Sequence, residues 1–178
     1  MLIGHIYKRQ IHYFHIRTDP YWIDKLPVDN WVAYTIADHE DEDLVMKAIP
    51  ICLDKQVTYT CSAGSLAGFT HISFDIENVK RKFEEAEKDE MEIDNDSVFM
   101  TTFDEDISEE FWFAATVAYH PTIVTDTMIC LDFTTTGHKA HLIELIRKIN
   151  AGWLPPDDEI KESAHNTRRL KMSTCNMD

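Results

Sequence analysis

Three groups of side chains in this 178-residue chain have the types and spacing to do chemistry. Asp38, Asp41, Asp104 and Asp106 form two carboxylate pairs, and hard oxygen ligands of that kind hold Mg²⁺. Thr134 or Thr135, with Lys139, would then meet a phosphoryl group. Cys61 precedes the small-residue stretch Ser62-Ala63-Gly64-Ser65 and is a candidate nucleophile, provided that His39, His71 or His138 serves as its base, because only the thiolate attacks. His138 and His141, three apart at a helix start, share one face and would begin a zinc site if Cys61, Asp132 or His39 completed it. Each group has a plainer reading. Asp41 and Asp106 precede helical segments, where a carboxylate satisfies free N–H groups and suits the helix dipole. The two histidines read as exposed residues at a helix start, and Cys52 and Cys130, inside apolar stretches, as small core hydrophobes. No H-E-x-x-H, C-x-x-C, G-x-G-x-x-G or Walker loop completes any of these groups, so the chain carries no whole catalytic motif. His138 and Cys61 remain the only catalytic candidates, and no cofactor is expected beyond Mg²⁺ at the carboxylates.

Each carboxylate pair trails a β-rich run. Trp31 to Ala37 stops at Asp38, and Ser97 to Phe103 stops at Asp104; Gln56 to Cys61 and Met128 to Phe133 are two further strands. Between them lie helical patterns: Leu44 to Leu53 with Pro50 bending or interrupting it, Ile76 to Met91, Ser108 to Tyr119, and His138 to Asn150. In the second helix Ile76, Val79, Phe83 and Ala86 are expected to face inward, with Lys80, Arg81, Lys82, Glu84, Glu85 and Glu87 in water. Strand-then-helix repetition predicts an α/β three-layer sandwich, its mostly parallel sheet of four to five strands flanked by helices. Residues 1–156 then form one domain, with 1–30 as an N-terminal arm or edge strand (Gln10 to Ile16). Residues 157–178, after Pro155-Pro156, read as a tail or docking segment. In such a sheet the loops after the strands share one rim, and ligands bind there.

Charge bears on partners. Of the 32 acidic residues, 13 lie between Glu84 and Glu110 and five between Asp38 and Asp43, giving a net −15 that disfavours nucleic acid at the main body and favours a basic protein partner. The expected binding surface is Glu84, Glu85, Glu87, Glu90, Glu92, Asp104, Glu105 and Asp106. Both ends are comparatively basic, with Lys8, Arg9 and Arg17 at one and Lys161 to Lys171 at the other. Tyr13, Phe14, Tyr21 and Trp22 would anchor an interface or pack as an edge strand; a homodimer would use that arm or the last helix. No apolar run has the length of a membrane span or of a signal-peptide core, so a cytoplasmic address is expected.

The carboxylates with Thr134 or Thr135 and Lys139 look similar to the site of phosphoryl-transfer folds such as receiver domains. Thr60-Cys61-Ser62-Ala63-Gly64, His71, Asp75, and Met100-Thr101-Thr102-Phe103-Asp104 before an acidic helix start also resemble a family of uncharacterised bacterial α/β proteins of unknown function, over Trp31 to Tyr119. That family implies a Trp-Gly after the cysteine and a Trp-His after the threonines, where Ala63-Gly64 and Phe103-Asp104 stand here; it implies no activity. Two functions are therefore expected. The first is an acidic, non-enzymatic interaction module, such as an immunity protein of bacterial defence or an accessory subunit that docks a basic partner. The alternative is a small Mg-dependent enzyme or nucleotide-sensing domain at the loop rim.

Overall fold

The computed structural model describes residues 1–89, 99–120 and 122–156. Its sheet has six strands: β1 (Leu2–Ile6), β2 (Arg9–His15), β3 (Trp31–Ile36), β4 (Val57–Ala63), β5 (Met100–Asp104) and β6 (Thr127–Asp132), in the spatial order β1-β2-β6-β3-β4-β5. Four helices cover it: α1 (Glu42–Asp54), α2 (Ala67–Asp89), α3 (Ile107–Thr116) and α4 (Lys139–Asn150). All strand pairs are parallel except β1 with β2, so the predicted α/β sandwich stands, with one or two strands more than expected. The extra strand is β1. It forms a hairpin with β2, which puts Gln10 to Ile16 inside the sheet between β1 and β6 rather than at its edge.

Burial on both faces explains why β3 and β6 read as mostly apolar runs, while β4, buried throughout, alternates apolar residues with Thr58, Thr60 and Ser62. One face packs Tyr34, Cys61 and Cys130 under Phe111 and Ala115 of α3 and Leu142 and Ile146 of α4. The other packs Ala33, Ile129 and Leu131 under Val45 and Ile49 of α1 and Phe74 of α2. The chain steps outward from β3 through α1, β4 and α2 to β5, then returns across the opposite face through α3 to insert β6 beside β3. Right-handed crossovers require that change of face when the direction reverses. The reversal leaves a switch point between β3 and β6, above which the loops part.

Several local expectations are corrected. Helix α1 continues through Pro50, held on both sides by buried Val45, Ala48, Ile49 and Cys52, and the Pro50 carbonyl accepts from Arg81 instead. Tyr13, Phe14 and Trp22 are core residues, and of those four aromatics Tyr21 alone is exposed. Arg9 is no part of a basic surface: it is fully buried, and its guanidinium donates to the carbonyls of Ala114, Ala118 and Thr125 and to the Thr125 hydroxyl.

Helix α2 begins nine residues before the predicted Ile76, and its phase is the reverse of the one expected. Ala67, Thr70 and Phe74 face the core, and that line continues through Arg81, which pairs with Asp54 at 2.7 Å. Ile72, Ile76, Val79 and Phe83 fall roughly 140–200° around the helix from Phe74 and so point outward. Contacts set this phase: Phe74 packs in the core on the α1 side of the sheet, and Arg81 donates to Asp54 and to the Pro50 carbonyl of α1.

On the α3 side, Glu110 is buried beside Cys61 and accepts from Thr102 Oγ1 at 2.8 Å. Burial is the main reason its carboxyl is pushed up to about 7, from an ordinary 4.5. A carboxyl with a raised folded-state pKa binds more protons folded than unfolded, so stability falls as pH climbs from 4.5 through 7. Glu110→Gln is therefore expected to stabilise the protein by about 3 kcal/mol at pH 8 and by almost nothing at pH 4.5. Melting curves of both proteins across that range check this; equal gains at both ends would contradict it.

Candidate functional site

The loops after β2, β3, β4, β5 and β6 do gather along one rim, as parallel pairing demands, but the rim distributes the candidate residues rather than collecting them. Asp38 and Asp41 follow β3, and Asp104 and Asp106 end and follow β5. One whole strand, β4, stands between the pairs, a separation of roughly 9–10 Å. Each carboxylate also has a local task. Asp41 is fully buried, ion-pairs with Arg17 at 2.5 Å and accepts from the Asp38 backbone N–H at 2.8 Å. Asp38 accepts from Ser65 Oγ. Asp106 caps α3 by accepting from the N–H groups of Ser108 and Glu109, and Asp104 accepts from the Asp106 N–H. Among the described residues, no group of three or more His, Cys, Asp or Glu side chains is placed to hold a metal ion.

Of the zinc candidates, His138 and Asp132 come together while Cys61 and His39 lie elsewhere. His138 Nδ1 lies 3.3 Å from Asp132, whereas His141 Nε2 meets Ser108 Oγ at 3.2 Å. Cys61 sits on the buried α3 side of β4, its Sγ 3.3 Å from Thr102 Oγ1. Desolvation, reinforced by Glu110, raises its thiol well above the ordinary value, which keeps it protonated. None of the three proposed bases faces it: His71 belongs to α2 across the sheet, His39 to the rim loop, and His138 follows β6, two strands away. A thiolate nucleophile there has neither base nor access. The Ser62 to Gly68 segment is no phosphate cradle either. Gly64 has φ of +89°, and a Cβ on it would lie 2.5 Å from the Ala37 carbonyl, so the turn packs against the end of β3.

At the end of β6 the rim is tightly built. Asp132 is fully buried and accepts from Tyr13 Oη (2.8 Å), Thr134 Oγ1 (2.7 Å), the Thr134 N–H (3.1 Å) and the His138 N–H (2.5 Å). One carboxylate thereby fixes the whole turn from Thr134 to His138. Sequence reading placed Asp132 only among optional zinc ligands; a charged residue ending a wholly apolar strand was the available signal of this organising role.

The expected acidic binding surface divides in two. Glu84, Glu85 and Glu87 are exposed on α2 at the amino end of the strands, while Asp104, Glu105 and Asp106 stand at the carboxyl end, and Glu90 and Glu92 lie outside the described residues. A helical run of about 25 Å separates the two halves. Beside the first half lies an apolar line of which Ile76, Val79 and Phe83 were expected to face inward. With Ile72 they are 64%, 49%, 52% and 55% exposed, at spacings of four, three and four from Ile72 to Phe83. Phe103 of β5, 51% exposed, extends it across the sheet edge, its ring centroid 4.9 Å from that of His71. Thr101 Oγ1 bonds Asp75 at 2.8 Å and ties this edge strand to α2. Scattered apolar residues on a surface need no explanation, but a contiguous line rimmed by charge marks a surface that something covers.

Among the described residues no helix is long and apolar enough to cross a membrane. A family model described as Domain of unknown function (DUF7684) matches residues 11–149, which span β2 to nearly the end of α4. No curated protein and no solved structure matches the chain.

Proposed function

This chain belongs to the DUF7684 family, whose description assigns no activity, and from its own surface we propose that it is an interaction module whose α2 face docks a basic, amphipathic segment of a partner protein. The observation that carries this reading is the outward apolar line Ile72, Ile76, Val79 and Phe83, running into exposed Glu84, Glu85 and Glu87. Two physical terms act together. Apolar burial along the helix supplies affinity, as in helix-on-groove recognition, and the carboxylates select a basic partner and speed its approach. An immunity protein or an accessory subunit for a basic protein is the biological form this would take.

A synthetic leucine–lysine amphipathic helix is a suitable probe for the full chain. Micromolar binding that weakens with salt is expected, because charges of this exposure are screened over about 10 Å at 0.1 M. The double change Ile76→Ser and Phe83→Ser should weaken it at least tenfold. Glu84→Gln, Glu85→Gln and Glu87→Gln together should flatten the salt dependence. Affinity unchanged by both sets would overturn the assignment. So would tighter binding on removal of residues 157–178, which would give the face to the chain's own basic end. Dimerisation that the serine pair abolishes would give it to a second copy.

A further inference from the structure

A second feature of the rim is independent of the α2 face. Outside the carboxyl ends of β2 and β6 lies a cavity of about 670 Å³, within the range of small-molecule sites. The loop after β2 forms one wall with His15, Thr18, Asp19 and Lys25; the turn into α4 forms the other with Thr136 and Lys139. In a chain of net charge −15 this cavity has two lysines against one carboxylate. That carboxylate is already neutralised, since Lys25 Nζ contacts both Asp19 oxygens, at 2.8 and 2.7 Å. The Lys139 ammonium meets the Met1 thioether at 2.9 Å, and a thioether balances no charge.

The walls are held rigid. His15 Nε2 lies 2.7 Å from the Thr134 carbonyl, which can only accept, so that nitrogen carries the proton; Nδ1 meets the Thr18 hydroxyl at 2.9 Å. Gly137, with φ of +73°, turns the opposite wall, where a Cβ would come within 3.1 Å of Tyr13 Oη. Behind it Asp132 fixes the turn from the buried side. Lys139 belongs to the first turn of α4, whose N-cap His138 donates its backbone N–H to Asp132 behind this wall.

We infer that this cavity binds a phosphate-bearing small molecule, with the phosphoryl group against Lys139 and the rest of the ligand along the wall formed by His15 and Thr18. The α2 face lies toward the opposite edge of the sheet, so neither site requires the other. Binding to the full chain, measured calorimetrically with AMP, inorganic phosphate and adenosine at constant ionic strength, tests it. AMP is expected to bind with submillimolar Kd, inorganic phosphate more weakly and adenosine not at all. Lys139→Ala should weaken AMP at least tenfold and Lys139→Arg should restore it, while the Ile76→Ser, Phe83→Ser chain should bind AMP like the parent. Lys139 is half-exposed, so its loss should leave the melting temperature of the unliganded protein in place. Absence of AMP binding, equal binding of adenosine, or AMP binding indifferent to Lys139→Ala would each overturn the inference.

Discussion

An Arg9→Met chain is expected to lose about 3–5 kcal/mol of folding free energy while keeping its secondary structure, measured by urea denaturation. The magnitude follows from what the guanidinium does. It is fully buried, it contacts no carboxylate among its described partners, and it donates to three backbone carbonyls and one hydroxyl. Ala114 and Ala118 lie at the end of α3, where carbonyls lose their helical partners and the dipole is negative, so the cation is balanced by oriented backbone rather than by an acid. Its Cζ also lies 3.9 Å from the Tyr119 ring centroid. Burial pulls the guanidinium's pKa down, the expected direction for a cation taken from water. Methionine fills much of the volume but leaves the carbonyls unpaired in the interior. Arg9→Lys should recover only part of the loss, because a point charge cannot reach acceptors spread around a planar fork. A loss below about 1 kcal/mol for Arg9→Met would show that water reaches these carbonyls and that the cap is dispensable.

Asp132→Ala is expected to destabilise by about 3–4 kcal/mol and to release the turn that it organises. Two side-chain hydroxyls and two backbone N–H groups donate to this buried carboxylate, with His138 Nδ1 at 3.3 Å beside them, and alanine removes their shared acceptor. The Asp132→Asn change keeps one acceptor oxygen and should fall between the parent and the alanine variant. The local consequence separates this residue from an ordinary core position: amide exchange of residues 134–138 should accelerate well beyond the global change. Uniform acceleration across the sheet would mean that Asp132 supports the fold as a whole and not this turn. The same loosening should weaken AMP at the rim cavity, since Lys139 directly follows His138.

Much of the architecture could be read from residue order. The mostly apolar runs at β3 and β6, separated by helical periodicity, point to parallel strands covered on both faces, and the Asp106 cap and the Leu142, Leu145, Ile146 and Ile149 face of α4 lie where their spacing puts them. What was not legible depends on distant contacts. The β1–β2 hairpin turns on Tyr7 at φ of 51°, in a tyrosine-lysine pair that carries no turn signal. Periodicity marks Ile76, Val79 and Phe83 as one line of α2 but not its direction, because either face of an amphipathic helix can be inward until Phe74 and Arg81 fix the phase. Arg9 looked like surface charge because its acceptors lie more than 100 residues away. The separation of the two carboxylate pairs depends on a distant contact of the same kind. Sequence order puts Asp38 and Asp104 at equivalent positions after their strands, but it does not reveal that β4 stands between them.

The claim that most needs testing is that the outward line on α2 is a docking face. Hydrogen exchange of the full chain, with and without the leucine–lysine peptide, reads it directly. Protection across residues 72–87 and the adjoining strand at 100–104, removed by Ile76→Ser with Phe83→Ser, is the expected result. Protection confined to the rim at 134–140, or none anywhere, would contradict it.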